Sequence, residues 1–186
     1  ILKETNALLE GHFILSSGLH SAKYIQCAQL LSKPKQAQII CNSLASKIKK
    51  EFDKIDLILS PAMGGIIVGY EIGRILQIET IFCERVNGIF ELRRDFHIPK
   101  NSKVLIIEDV ITTGKSSLEC VRLIKKSKSF NVGFASIIDR STKKSLKIKK
   151  KIISHLKINV PTYKKNQLPE SLRSKPIIIP GSRFVK

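Results

Sequence analysis

The sequence predicts an α/β fold, a mostly parallel sheet flanked by helices, and three observations carry that expectation. Short apolar runs rich in β-branched residues recur at Ile55–Leu59, Thr80–Cys83, Val104–Ile107 and Val132–Ile138. These runs are nearly continuous rather than alternating, the pattern of strands covered on both faces. Segments with helical spacing of apolar residues separate them, and strands that alternate with helices close into a parallel sheet through right-handed crossovers.

Taken in order, Leu2–Leu9 reads as a short helix, and Phe13–Leu15 and Tyr24–Ile25 as small strands around a turn at Gly18. Pro34 stands where the first turn of a helix tolerates its missing N–H. Ile39, Ile40, Leu44 and Ile48 give that helix one apolar face. Ile55–Leu59 is a buried strand that ends at Ser60-Pro61, Ile66–Leu76 is the next helix, and Thr80–Cys83 the next strand. Val104–Ile107 follows, then a helix opening at Ser116 with Leu118, Val121 and Ile124, then the strand Val132–Ile138. No internal repeat or flexible linker interrupts the chain. Its 186 residues suit one domain, and folding at that size buries roughly 70% of the unfolded surface.

The stretch from Val104 to Ser116 carries the chemistry. Glu108-Asp109 brings two carboxylates to the carboxyl end of a strand, the edge at which open α/β sheets bind ligands. Thr112-Thr113-Gly114 is a hydroxyl-rich turn leading into a helix, and backbone N–H groups in such a turn form an anion site. Carboxylates that accept hydrogen bonds from sugar hydroxyls thus stand beside a cradle for phosphate, a pairing that fits a sugar phosphate. Gly114-Lys115-Ser116 also looks like the tail of a P-loop. That motif requires a glycine at position 109 so that the backbone can wrap a diphosphate. Asp109 occupies the position, and its charge repels phosphate.

This segment resembles the phosphoribosyl-diphosphate (PRPP) motif of type I phosphoribosyltransferases. Other blocks narrow the resemblance to the orotate phosphoribosyltransferase family, over nearly the whole chain and in the same order. Gly11-His-Phe-Ile-Leu-Ser-Ser-Gly-Leu-His-Ser-Ala-Lys-Tyr24 is similar to its N-terminal block, and Ser60-Pro-Ala-Met-Gly-Gly65 to its pyrophosphate loop. Glu84-Arg85 through Arg94 stands in the place of its mobile catalytic loop. Ile137-Ile-Asp-Arg140 resembles the strand end bearing its orotate-binding arginine, and Pro180-Gly-Ser-Arg183 a tail of one bacterial branch. The expected layout is a small hood of about residues 1–32 over the sheet's carboxyl edge. A core over 33–140 and basic strands and tail over 141–186 follow.

The resemblance implies transfer of ribose 5-phosphate from PRPP to orotate, giving orotidine 5′-phosphate and pyrophosphate. Glu108 and Asp109 would hold the ribose hydroxyls near the positive charge that develops on the sugar. The segment Val110, Ile111, Thr112, Thr113, Gly114, Lys115 and Ser116 would bind PRPP, its last five residues cradling the 5-phosphate. Arg140 would pair with the orotate carboxylate, with Thr112 beside it. Mg²⁺ would ride on the diphosphate rather than on protein ligands. Three departures stand out, since the family commonly carries lysines near the positions of Gly64 and Ser16 and in the mobile loop. Arg85, Arg93 and Arg94 are the replacement cations, unless they simply decorate a β-hairpin around Asn87-Gly88. The family also implies a homodimer.

Composition excludes several other classes. The longest apolar runs are a few residues, far short of the roughly 20 that cross a bilayer, and no signal-peptide pattern opens the chain, so the cytoplasm is the expected compartment. Cys27, Cys41, Cys83 and Cys120 form no C-x-x-C pair, and three of them sit in apolar surroundings that suit a reduced, buried thiol. The four histidines lack metal-ligand spacing. The net charge of +18 invites nucleic acid. However, residues 141–186 alone carry 13 basic residues against one acid, and few aromatics stand among them to stack on bases. That charge reads as a solvated surface that attracts anionic substrates. Three rivals remain: a PRPP-binding sensor without turnover, a phosphoribosyltransferase for another base, and a basic nucleic-acid module.

Overall fold

The computed structural model of the protein describes residues 1–15, 17–143 and 145–180. They form two compact units, one of Ile1–Lys33 with the chain from Asn159 onward, the other Pro34–Ile158. The boundaries differ from the expected hood, core and tail. Residues after Arg140 complete the larger unit up to Ile158, and the rest of the C-terminal segment joins the N-terminal strands.

The smaller unit begins with β1 (Leu8–Ile14), β2 (His20–Ile25) and α1 (Cys27–Leu31). The helix expected over Leu2–Leu9 is only a turn, closed by the Thr5 N–H and hydroxyl on the Ile1 carbonyl (2.9 and 2.8 Å). Asn6 then adopts a left-handed conformation, φ 56°, and Leu8 is drawn into antiparallel pairing with Ile25. Long-range pairing overrides the helical spacing. Side chains of β1 and β2 lock the hairpin, with His12 Nε2 and His20 Nδ1 2.7 Å apart and both rings buried.

The larger unit holds α2 (Pro34–Glu51), β3 (Leu57–Pro61), α3 (Gly64–Leu76), β4 (Thr80–Val86), β5 (Ile89–Glu91), β6 (Lys103–Ile111), α4 (Lys115–Lys126), β7 (Phe130–Asp139) and β8 (Ile152–Lys157). The strands form one six-stranded sheet in the order β5-β4-β3-β6-β7-β8. All neighbours are parallel except β5, which pairs antiparallel with β4 as a hairpin on the edge. β3 starts two residues later than expected because Asp56 is already committed, its N–H to the Lys103 carbonyl and its carboxylate to the Lys103 N–H. α2 opens at Pro34 and buries Ile40, Leu44 and Ile48, whereas Ile39 faces solvent and Ala37, Cys41 and Ala45 take its place inside.

The central strands are covered on both faces, as their apolar runs require. Leu57, Leu59, Val104, Ile106 and Phe134 pack with Cys120 and Ile124 of α4. The alternate residues Ile58, Leu105, Ile107 and Ala135 are fully buried on the other side, where α3 lies so close that a side chain at Gly69 would collide with Ser60. Truncating Ile106 to Ala would cost about 2–5 kcal/mol of stability. All four cysteines are buried.

The smaller unit is completed by β9 (Thr162–Tyr163), a 3₁₀ turn (Lys165–Gln167), α5 (Glu170–Arg173) and β10 (Ile177–Ile178). Its four-stranded sheet runs β10-β1-β2-β9, with β10 parallel to β1 and β9 antiparallel to β2.

Candidate active site at the carboxyl end of the parallel strands

The acidic pair lies within the carboxyl-terminal part of β6, which runs four residues past its expected end, to Ile111. Pairing with β7 extends it, through Glu108 opposite Ser136 and Ile111 opposite Asp139. Successive strand residues face opposite sides, so the two carboxylates diverge. Glu108 turns toward α4, is buried, and accepts a short hydrogen bond from the Ser117 hydroxyl. Asp109 turns toward the start of α3, where its carboxylate lies against Gly64. Burial pushes Glu108 up to about 7, and the charges of Asp109 and Glu119 act in the same direction against the Ser117 hydrogen bond. Burial likewise raises Asp109, opposed by the backbone N–H groups of Val110 and of Asp109 itself.

The turn after β6, the place of the expected phosphate cradle, leads directly into α4. Thr112 and Thr113 are exposed, and Gly114 caps α4 in the left-handed region at φ 73°. A side chain at Gly114 would also lie 2.6 Å from Ile148, so both conformation and space require glycine there. The Lys115 N–H donates to Thr113 Oγ1 (3.3 Å), and the first turn of α4, which includes Ser116 and the buried Ser117, holds no acid. Gly114 offers no side-chain cap, and the N–H groups at a helix start suit an anion. Two features escaped sequence reasoning. Ser117 supports Glu108, a role its i+9 spacing from the acid does not advertise. Residues 147–148 strap the turn, the Lys147 N–H donating to the Thr113 carbonyl (3.0 Å) and Ile148 resting on Gly114.

Next to this cradle, the β3–α3 turn is fixed by the Ala62 N–H on the Cys83 carbonyl (2.7 Å), and a cis peptide joins Ala62 to Met63. A β-carbon at Gly64 would lie 2.6 Å from both oxygens of Asp109. Any side chain at 64, a lysine included, would require that carboxylate to shift. Ser16, the other such position, and Gly181–Arg183 of the expected tail lie outside the described residues.

Arg140 follows the last residue of β7, and its N–H donates to the Ile111 carbonyl (2.8 Å), which ties it to the end of β6. Asp139 beside it is buried and engages Lys157 Nζ (3.3 Å) and the Ser141 N–H (2.8 Å). The three loop arginines stand elsewhere, around the β4–β5 hairpin, whose turn is Asn87-Gly88 at φ 50° and 83°. Arg85 reaches Glu119 of α4 (2.7 Å) and lies 4.0 Å from the centre of the Phe90 ring. Arg93 and Arg94 converge on Glu84, at 3.5 and 3.0 Å. The sheet thus brings Glu108, Asp109, the Thr112–Ser116 turn and Arg140 to neighbouring strand ends. It leaves Arg85, Arg93 and Arg94 in ion pairs on the edge. Among the described residues no three His, Cys, Asp or Glu side chains gather as a metal cage, and no helix is long and apolar enough to cross a membrane.

Comparison with known proteins agrees with this geometry. Residues 27–172 match the family model of the phosphoribosyl transferase domain. A protein of Caldicellulosiruptor saccharolyticus named orotate phosphoribosyltransferase is 45% identical over 186 residues, covering 100% of this chain and 96% of the relative. One of Erythrobacter litoralis with the same name is 43% identical, covering 97% and 94%. The crystal structure of orotate phosphoribosyltransferase from Aeropyrum pernix superposes with a TM-score of 0.71 at 20% identity, over 84% of this chain and 91% of that one. An adenine phosphoribosyltransferase from Leishmania tarentolae superposes at 0.58 and 19%, over 73% and 77%. The fold is therefore shared by enzymes named for different bases, and sequence identity makes the choice among them. With an acidic pair, a glycine-capped turn and full-length relatives all pointing the same way, the chain belongs to the orotate phosphoribosyltransferase family.

Proposed function

We propose that this protein transfers the 5-phosphoribosyl group of PRPP to orotate, releasing pyrophosphate and supplying orotidine 5′-phosphate for pyrimidine synthesis in the cytoplasm. The observation that carries the proposal is the docking of Arg140 onto Ile111. It ties the backbone of Arg140 to the strand end that follows the acid pair, which supports the reading that this cation holds an acceptor bearing a carboxylate. Orotate differs from uracil by that carboxylate.

In this account the backbone of Thr112–Ser116 holds the 5-phosphate and Gly64-Gly65 lets the diphosphate approach the chain closely. Mg²⁺ carried with the diphosphate would offset the leaving group's charge. Asp109, between the glycine loop and the sugar, accepts ribose hydroxyls and faces the positive charge that grows at the anomeric carbon. Glu108, held by Ser117, accepts the neighbouring hydroxyl and has to be ionised to do so fully. Arg93 and Arg94 must leave Glu84 to reach a diphosphate, and we propose that the protein works as a homodimer in which that loop is completed. An absorbance assay of orotate consumption with PRPP and Mg²⁺, run beside uracil, adenine and hypoxanthine, tests the assignment. PRPP binding with no turnover of any base would make the protein a sensor instead.

A further inference from the structure

Helix α4 packs beside β7, and a groove of about 460 Å³ opens between them and the segment 147–150. Its apolar lining includes Phe130, 60% exposed, the half-buried Leu118, and the buried Phe134 and Ile148. Phe130 and Phe134 stand four residues apart on β7, so their rings share one face of the sheet. The volume falls within the roughly 300–1,000 Å³ of small-molecule sites.

The rim carries one sign of charge. Lys125, Lys147, Lys149 and Lys150 line it, and among the described residues no acid does. Lys150 is engaged, its Nζ donating to the Asn131 carbonyl (2.7 Å). The polar side chains of the groove are engaged as well. The Ser129 hydroxyl donates to the Pro99 carbonyl (2.8 Å), and Asn131 Oδ1 accepts from the Gly133 N–H (3.1 Å). Lys125, Lys147 and Lys149 therefore meet no carboxylate in the groove, whereas Lys151 just beyond it reaches Glu51 (2.7 Å). A bare inorganic anion would leave the apolar floor wet, and a neutral apolar molecule would leave the cations unanswered. A ring system with an anionic group answers both, stacking on aromatic side chains while the lysines hold its charge.

We propose that this groove binds a small aromatic anion, a ring system carrying a phosphate, sulfonate or carboxylate, and that its occupant steadies the turn at Thr112–Ser116. The coupling rests on the PRPP reading above and runs through shared residues. Ile148 has the groove on one side and Gly114 on the other. The Lys147 N–H holds the Thr113 carbonyl (3.0 Å), and the Leu118 N–H holds the Gly114 carbonyl (2.9 Å). A ligand seated between Leu118 and Ile148 favours the state in which these contacts are closed, the same state that would receive a phosphate.

Calorimetry on the full chain with naphthyl phosphate, and with naphthol as its uncharged counterpart, tests the site. One naphthyl phosphate should bind per chain in the presence of saturating PRPP, and naphthol should bind roughly tenfold more weakly or worse. Phe130→Asp and Lys149→Glu, both at exposed positions, should each weaken binding by roughly tenfold or more. Lys35→Glu, exposed on α2, should leave it unchanged. Naphthyl phosphate should in turn tighten PRPP binding about fivefold. Full displacement by PRPP would put the probe in the phosphate turn. Equal losses in all three variants would mean general attraction to a basic surface. Either result, or no binding at all, overturns the site. Binding that follows the variants but leaves PRPP affinity unchanged would overturn the coupling and uphold the site. A chain that binds no PRPP would sink the proposed function, and the three variants would still decide the groove.

Discussion

The carboxyl end of β6 and the β4–β5 hairpin carry opposite charges in opposite conditions. Glu108 and Asp109 are withdrawn from water, and burial raises both toward their neutral forms. Arg85, Arg93 and Arg94 stand on the sheet edge with their charges already answered by Glu119 and Glu84. The acids therefore have free energy to gain from a ligand that donates hydrogen bonds or carries positive charge. The arginines must give up existing partners before they gain anything. Preorganised groups at the first region can act on a transition state directly, whereas the second is built to rearrange or simply to hold a hairpin.

The strongest test of that contrast is Asp109→Asn, which keeps the shape and removes the charge that the proposed reaction sets against the ribose. Turnover should fall by roughly a hundredfold or more, about 3 kcal/mol of transition-state stabilisation. Steady-state kinetics with near-normal kcat would reduce Asp109 to a loop residue.

Glu108 gives the next effect, read in stability. Its carboxyl is raised from 4.5 to about 7 in the folded chain, so the folded state keeps a proton that the unfolded state has lost. The resulting stabilisation is fully present below pH 4.5 and disappears as the pH rises through 7, a change of about 3 kcal/mol at most. Glu108→Gln cannot ionise. Urea titrations from pH 5 to 8 should show the wild type losing stability relative to this variant, and parallel profiles would mean that Glu108 is ordinary.

Arg140→Ala probes whether the β7 end belongs with the preorganised region. Loss of a charge-assisted contact, worth roughly 1.5–3 kcal/mol per hydrogen bond, should raise the KM for orotate about tenfold to several hundredfold. PRPP affinity should hardly change, because the turn at Thr112–Ser116 is untouched. Equal loss of both substrates in a folded variant would place Arg140 outside the acceptor site.

The smallest effect belongs to the hairpin. Arg85→Ala breaks a partly exposed ion pair and a ring contact, and should cost no more than about 1 kcal/mol of stability with little loss of turnover. A hundredfold fall in kcat would erase the contrast and make Arg85 part of the catalytic apparatus.

Both regions were visible in the chain to different depths. The β6 motif stands out because a buried parallel strand, its terminal acids and a glycine-capped turn are local patterns, each set by neighbours a few residues away. Asn87-Gly88 announced a hairpin tip for the same reason. What the Leu2–Leu9 spacing promised as a helix failed because pairing with Ile25 offered the backbone a better set of partners. Ile39 fitted an apolar stripe on paper but faces water, since Ala37 and Cys41 turn inward beside Ile40.

By itself the sequence determined the alternation of strands and helices, the position of the acid pair at a strand's carboxyl end, and the glycine-capped turn that follows. Local backbone preference and hydrophobic period suffice for these. The tertiary structure decided that Glu108 answers to Ser117 while Asp109 answers to Gly64, that Ile148 closes over Gly114, and that Arg140 docks on Ile111. Those partners depend on β3 and β7 flanking β6 while β4 and β5 are carried to the edge. Strand order follows from how helices and strands bury each other's apolar faces across the whole unit, and no short window of residues contains that information.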